Sequence, residues 1–425
     1  MDRLSTPPQP TLPTSTSLLH APAAPAWPAK RAGIAPSHSA ASPLAARISL
    51  VHDYLLVMRG AERTFAAIAD IYPHAPIFTL LHSQQGTNHR FAGHSVTTSP
   101  LQRFRVDQSN FRRLLPLYSL AVERLQLPDS QVVLSSSSAF AHGVRVPPGA
   151  LHICYCYTPF RYAWDEQSYA LAEVSPPLRP LLRQQLRRIR KWDLAASRRV
   201  DSYIAISQLT RQRIKRHYGR NATVIHPPVE TQRFTPATPG DALLLVSELL
   251  PHKRLHIALD AARRAHAPIQ VVGSGPHLPE LKHAYPNAEF LGRVSDQQLA
   301  QLYASARAVL VPSVEEFGIT AVEAQAAGRP VIAAAAGGAL ETVLHRRTGL
   351  LVAPDDIDAL AHAINSVDAL DFNPQRAVAN AQRFSVAAFQ RQLSAHVARL
   401  LERGPHGGHG SRWHRGVASA AGSQS

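Results

Sequence analysis

Short apolar runs alternate with stretches of helical periodicity from about Arg47 to Glu402. RISLVHDYL, PIFTLL, QVVLSS, LHICYCY and DSYIAI are continuous apolar or β-branched runs, each followed by loop or helix signals. That pattern predicts a parallel sheet with strands buried on both faces. The first run is followed by Gly60 and a helix beginning near Glu62, the start of a Rossmann-like unit. Ser207 is placed to cap the helix that follows YIAIS. A double proline and the polar stretch TPATPGD then mark a linker between about Phe234 and Asp241. Beyond it, ALLLVSELLPHKRLHIALDAA, APIQVVGSGPHLPELK and AEFLGRVSDQQLAQLYASARAVLVPS repeat the strand–helix alternation. The chain therefore reads as α/β with two Rossmann-like domains, residues 47–235 and 241–385.

The stretch from Val311 to Ala333, VPSVEEFGITAVEAQAAGRPVIA, reads as strand, loop, helix and strand, punctuated by Pro312, Gly318, Gly328 and Pro330. On the helix, Ile319, Val322 and Ala326 share one face, and Glu323 falls on it too. A carboxylate there needs partners, which are either basic residues of a structural ion pair or a ligand. Glu315 precedes it in the loop feeding the helix N-terminus, where free amides and the dipole favour anions. Two carboxylates flanking a phosphate site suit a nucleotide sugar, one holding a ribose and the other a sugar. Lys253 and Arg254 stand at another strand-to-helix loop, where cations would neutralise a diphosphate as it leaves. The glycines of the GSG turn, Gly273 and Gly275, are a weak signal by themselves.

At 425 residues and 45% apolar content, the chain is long enough for two full cores, and no apolar run is long enough to span a bilayer. Cys154 and Cys156 form a CYC alternation that suits a buried strand in a reduced, cytosolic protein. The net charge of +16 and pI near 10.5 change the picture more. They favour nucleic acid, an anionic membrane or phosphorylated substrates as partners. No aromatic-interleaved basic platform or DNA-reading motif is present, which argues against nucleic acid. The densest run, Leu178 to Val200, carries eight basic residues at helical spacing. It is either a solvated amphipathic helix or a face that sits on anionic lipid. Residues 1–46, with nine prolines, and 403–425, rich in Gly, Ser and His, read as disordered tails.

Glu315, Phe317, Gly318 and Glu323, followed by AGRPVIA and GGALETV, resemble the donor-site signature of glycosyltransferase family 4. The likeness is greatest to the bacterial polysaccharide mannosyltransferase-like branch, in which an Asp commonly stands where Glu316 is here. The resemblance implies a retaining enzyme of the GT-B fold whose final helix, residues 386–402, crosses back to the first domain. It implies a metal-independent transfer of a hexose, GDP-mannose being the first expectation for the donor. The implied acceptor is a lipid-linked glycan at the inner membrane face, where the protein would be peripheral, in cell-surface polysaccharide synthesis.

By the same resemblance, Lys253 and Arg254 hold the leaving diphosphate and Glu315 the donor-sugar hydroxyls. The amides of Phe317, Gly318 and Ile319 face the sugar or phosphate, and Glu323 binds the ribose diol. Gly60 lies beside the diphosphate, Gly273 and Gly275 border the nucleotide, and Arg293 and Val294 meet the base edge. Three departures stand out: Ala61 for a second glycine, Glu248 for an arginine, and Tyr157 for a histidine in YCYTPFRYAWD. Either Tyr157 replaces that histidine as a hydrogen-bond donor, with help from His142, or turnover is impaired. Arg161 and Asp165 of the same motif are expected to form a local salt bridge or to contribute to the site. A nucleotide-sugar epimerase and a catalytically impaired binding scaffold are the alternative functions.

Overall fold

The computed structural model describes residues 47–104, 106–107 and 110–403, so the expectations for both tails fall outside the described residues, Arg403 excepted. The first sheet contains β1 (Ile48–Leu55), β2 (Ile77–His82), β3 (Val96–Thr98), β4 (Val132–Ser137), β5 (Leu151–Cys156), β6 (Ser202–Ala205) and β7 (Ala222–Val224). The second contains β8 (Leu243–Val246), β9 (Ile269–Val272), β10 (Glu289–Gly292), β11 (Val309–Val311), β12 (Val331–Ala334) and β13 (Gly349–Val352). Every strand pairing is parallel. β4 and β5 are buried at every position, which is why they read as unbroken apolar or small-residue runs.

The strand orders are β3-β2-β1-β4-β5-β6-β7 and β10-β9-β8-β11-β12-β13. Each is doubly wound about its first strand, so a crevice opens at the carboxyl ends of β1 and β4 and again at those of β8 and β11. The helix Gly60–Ile71 leaves β1 and buries Phe65 and Ile68. They share a core cluster with Phe389, Leu393 and Val397 of the C-terminal helix Val386–Arg403. Gln390 Nε2 donates to the Ala67 carbonyl at 3.1 Å, so this last helix does return to the first domain.

The basic run forms the helix Arg179–Ser197, with Leu186, Ile189, Asp193 and Ala196 inward. Arg183, Arg187, Arg188 and Lys191 face outward. Ser207 caps the helix Gln208–Tyr218 by accepting from Thr210 N at 3.2 Å. Both cysteines are free thiols buried on β5. Among the described residues, no helix is long and apolar enough to cross a membrane.

Candidate active site

The loops after β8 and β11 meet at the second crevice and bring Lys253 to Glu315. Lys253 Nζ lies 2.9 Å and 3.0 Å from the two Glu315 carboxylate oxygens. Ser313 Oγ donates to Oε1 at 2.6 Å. A carboxylate has about four lone-pair directions, so these bonds leave it room to accept from a sugar hydroxyl. The pair is about one quarter exposed, with side-chain exposures of 23% and 25%, and remains open to a ligand. Gly338 N donates to the Glu315 carbonyl at 2.8 Å and fixes the loop from below. Gly318, at φ 83°, turns the chain into the helix Ile319–Ala326, whose first amides face the same crevice.

Arg254 does not join the pair. It adopts a left-handed backbone at φ 55°, and its guanidinium lies 3.3 Å from Asp355. Phe317 is 3% exposed and packs against His226 and Phe384, so its ring belongs to the core and only its backbone faces the site. Glu323 is half-buried and accepts from Tyr303 OH at 2.8 Å. Burial lifts its pKa against the opposing effects of that bond and of Arg233 and Arg63.

Gly273 and Gly275 lie where two loops of the second domain approach closely. A Cβ on Gly273, at φ +141°, would fall 1.8 Å from the Ser247 carbonyl oxygen, and one on Gly275 would fall 2.4 Å from that of Leu249. These glycines let two loops of the second domain lie against each other. Val294 is half-buried against the core, while Arg293 is exposed. Partial burial and Arg59 lower the Arg293 pKa, and Glu248 raises it, which makes the three neighbours. Arg59 lies 3.9 Å from Glu248, so arginines surround the position where the resemblance calls for one.

On the first domain, a Cβ on Gly60 would lie 3.5 Å from Ile319 Cδ1, so the β1 loop faces the helix Ile319–Ala326 directly. Tyr157 is not free to act on a substrate. Its hydroxyl donates to the Ala61 carbonyl at 2.8 Å and lies 2.9 Å from Ser136 Oγ. Ser136 Oγ is also 3.0 Å from His52 Nδ1. Burial pushes the phenol pKa well above its usual range and lowers that of His52 to about 4. Tyr157 is thus a strut that holds the β1 loop.

His142 cannot assist it, because the two lie on opposite faces of the sheet. Successive side chains of β4 alternate. Ser136 meets Tyr157, whereas Ser137 Oγ lies 3.3 Å from His142 Nδ1 on the other side. There His142 Nε2 sits 3.2 Å from the fully buried Asp193, which also accepts from Trp164 and Tyr218. Burial lowers the His142 pKa, but Asp193, Cys154 and Asp53 together outweigh it and the net direction is upward. His142 is therefore a core residue of the first domain.

The sequence reading missed the contacts across the cleft. Glu316 Oε1 lies 3.3 Å from Arg161 Nη2 and 3.0 Å from Arg213 Nη1. Burial raises the Glu316 pKa, yet these two arginines bring it below the ordinary value. Arg161 takes Glu316 and, at 3.6 Å, Glu166, not the expected Asp165. Asp165 instead holds Arg213 at 3.6 Å and His217 at 3.0 Å. A second tie comes from Glu341, which accepts from Gln208 N at 2.8 Å and lies 2.9 Å from His226 Nε2. No local pattern pairs residues so far apart; the run VEEFG does, however, place a second acid beside Glu315.

Two family profiles match consecutive parts of the chain: Glycosyltransferase Family 4 over residues 58–233, and Glycosyl transferases group 1 over residues 240–368. A GDP-mannose-dependent monoacylated alpha-(1-6)-phosphatidylinositol monomannoside mannosyltransferase of Corynebacterium glutamicum is 34% identical over 243 residues, 49% of this chain and 61% of the relative. The GDP-mannose-dependent alpha-(1-6)-phosphatidylinositol monomannoside mannosyltransferase of Mycobacterium tuberculosis is 32% identical over 226 residues, 45% of this chain and 57% of the relative. The matched stretch thus spans about three fifths of these relatives. Among solved structures, the sucrose-phosphate synthase of Thermosynechococcus elongatus superposes with a TM-score of 0.62 at 20% identity, over 84% of this chain and 99% of that one. This likeness establishes the fold. With two doubly wound sheets, a helix crossing between them and both halves matched in order, the chain has the GT-B fold and belongs to glycosyltransferase family 4.

Proposed function

We propose that the protein is a retaining, metal-independent hexosyltransferase that moves mannose from GDP-mannose to a lipid-linked glycan acceptor. The observation that carries this reading is the Lys253–Glu315 pair at the crevice between β8 and β11. A diphosphate placed over the first amides of the helix Ile319–Ala326 would draw Lys253 Nζ onto its developing negative charge. Glu315, released from the lysine, would then accept hydrogen bonds from the sugar. Glu323, already near neutral-group contacts with Tyr303, would take the ribose diol. In this scheme the leaving diphosphate removes the acceptor proton on the same face, so the transfer needs no side-chain base. That suits a chain in which Tyr157 and His142 are both committed elsewhere.

Mannose is favoured by the two relatives, whose names specify GDP-mannose. The membrane reading rests on the first domain, where Phe104, Leu117, Leu120, Leu178 and Leu181 are exposed beside outward arginines. Large apolar side chains among cations suit an anionic lipid surface. The test is to incubate purified protein with a panel of nucleotide sugars and membrane lipid extract and to measure released nucleoside diphosphate. GDP release from GDP-mannose, dependent on the lipid, is expected. Donor binding without release from any donor would instead support the scaffold, and free nucleotide and sugar without an acceptor would support the epimerase.

A further inference from the structure

Glu315 and Glu316 are adjacent but point into different partnerships. Glu315 pairs with Lys253 inside its own domain, whereas Glu316 crosses the cleft to Arg161 and Arg213. Both arginines are themselves oriented. Arg213 is held by Asp165 through Nε at 3.6 Å and lies 3.3 Å from Thr158 Oγ1 through Nη1. Arg161 is held by Glu166 at 3.6 Å. The helix Gln208–Tyr218, which carries Arg213, also receives Glu341 at its first amide, so two acids of the second domain dock on one helix of the first.

We propose that Arg161 and Arg213 are positioning residues for transfer: by gripping Glu316 they fix the loop carrying Glu315 when the domains meet. This rests on the glycosyltransferase reading above. The charges argue against the alternative of an acceptor-phosphate site. Arg161 and Arg213 face Glu166, Asp165 and Glu316, which leaves no positive surplus at the two arginines to attract an anion. The grip is also asymmetric. Losing one arginine leaves Glu316 paired, whereas losing Glu316 leaves two guanidinium groups of the first domain without their acid from the second.

The test uses the full chain with spin labels at Gln126→Cys and Gln297→Cys, exposed positions on the two domains. The native Cys154 and Cys156 are 0% and 3% exposed and stay unlabelled. In Glu316→Gln, pulsed dipolar spectroscopy should show a longer interdomain distance than in the parent protein. Arg161→Gln alone should show a smaller change, and Glu316→Asp should stay near the parent distance. With GDP-mannose and lipid extract, Glu316→Gln should lower kcat about tenfold or more while the donor KM moves less than about threefold. Adding Arg161→Gln and Arg213→Gln to Glu316→Gln should cause little further loss, because residues of one network are not additive. Unchanged distances in Glu316→Gln, or fully additive losses, would overturn the proposal. If the parent protein releases no nucleotide from any donor, the proposed function fails, and the distance measurement still decides the grip.

Discussion

Tyr157→Phe separates a strut from a catalyst. The substitution keeps the ring that packs edge-on against Tyr155, with centroids 5.5 Å apart, and deletes only the hydroxyl. That hydroxyl donates to the Ala61 carbonyl at 2.8 Å and meets Ser136 Oγ at 2.9 Å, in a residue only 9% exposed. Removing one partner from a buried hydrogen bond costs about 1–3 kcal/mol, because the group left behind stays desolvated. For a domain of this size each kcal/mol moves the melting temperature by roughly 2–4 °C. Thermal melts of parent and variant should therefore differ by several degrees. Nucleotide release below the melt should fall only severalfold, through a looser Gly60–Ala61 loop. A loss of ~10³-fold in kcat with an unchanged melt would refute the strut and restore the phenol as a participant in the chemistry.

Other consequences follow from the same contacts. Lys253→Ala should lower kcat by about 10²-fold or more in a nucleotide-release assay, the scale of losing one preorganised charge on a leaving group. Glu323→Ala should weaken binding of the donor by roughly 1–3 kcal/mol in calorimetry, and unchanged affinity would remove Glu323 from the ribose. Burial lifts Glu62 from 4.5 to about 7, against its bond to Arg59 N. Its neutral form is favoured by folding, so this contribution is complete below about pH 4.5 and disappears as pH rises through 7. The shift corresponds to at most ~3 kcal/mol, and about 1–2 kcal/mol after solvent screening of a half-buried group. Denaturant titrations should show Glu62→Gln flattening the loss of stability between pH 5 and 8. Leu178→Glu with Leu181→Glu should reduce sedimentation with anionic vesicles and leave GDP binding unchanged.

The long strands were legible because burial on both faces demands uninterrupted apolar runs; β1, β5 and β6 fall within theirs, and β2 and β4 run one residue past. Val96–Thr98 and Ala222–Val224 were not, since three-residue edge strands with alternating exposure carry too little pattern. The run Ser135–Ser138 hid the error over His142, because identical residues give no contrast between the faces of a sheet. Lys253 and Glu315 could be expected near each other because strand-to-helix loops in doubly wound sheets gather at one edge, and they do meet there. The Arg161–Glu316 bond links residues 155 positions apart, and Tyr303 reaches Glu323 from 20 positions upstream. Such pairings are set by how the domains and helices dock, which periodicity does not encode.

A structure of the protein with a non-hydrolysable GDP-mannose analogue tests the central claim most directly. The diphosphate is expected within hydrogen-bond reach of Lys253 Nζ and the amides of Gly318 and Ile319, with sugar hydroxyls on Glu315 and the ribose on Glu323. An analogue bound elsewhere, with Lys253 and Glu315 still joined to each other, would contradict the account.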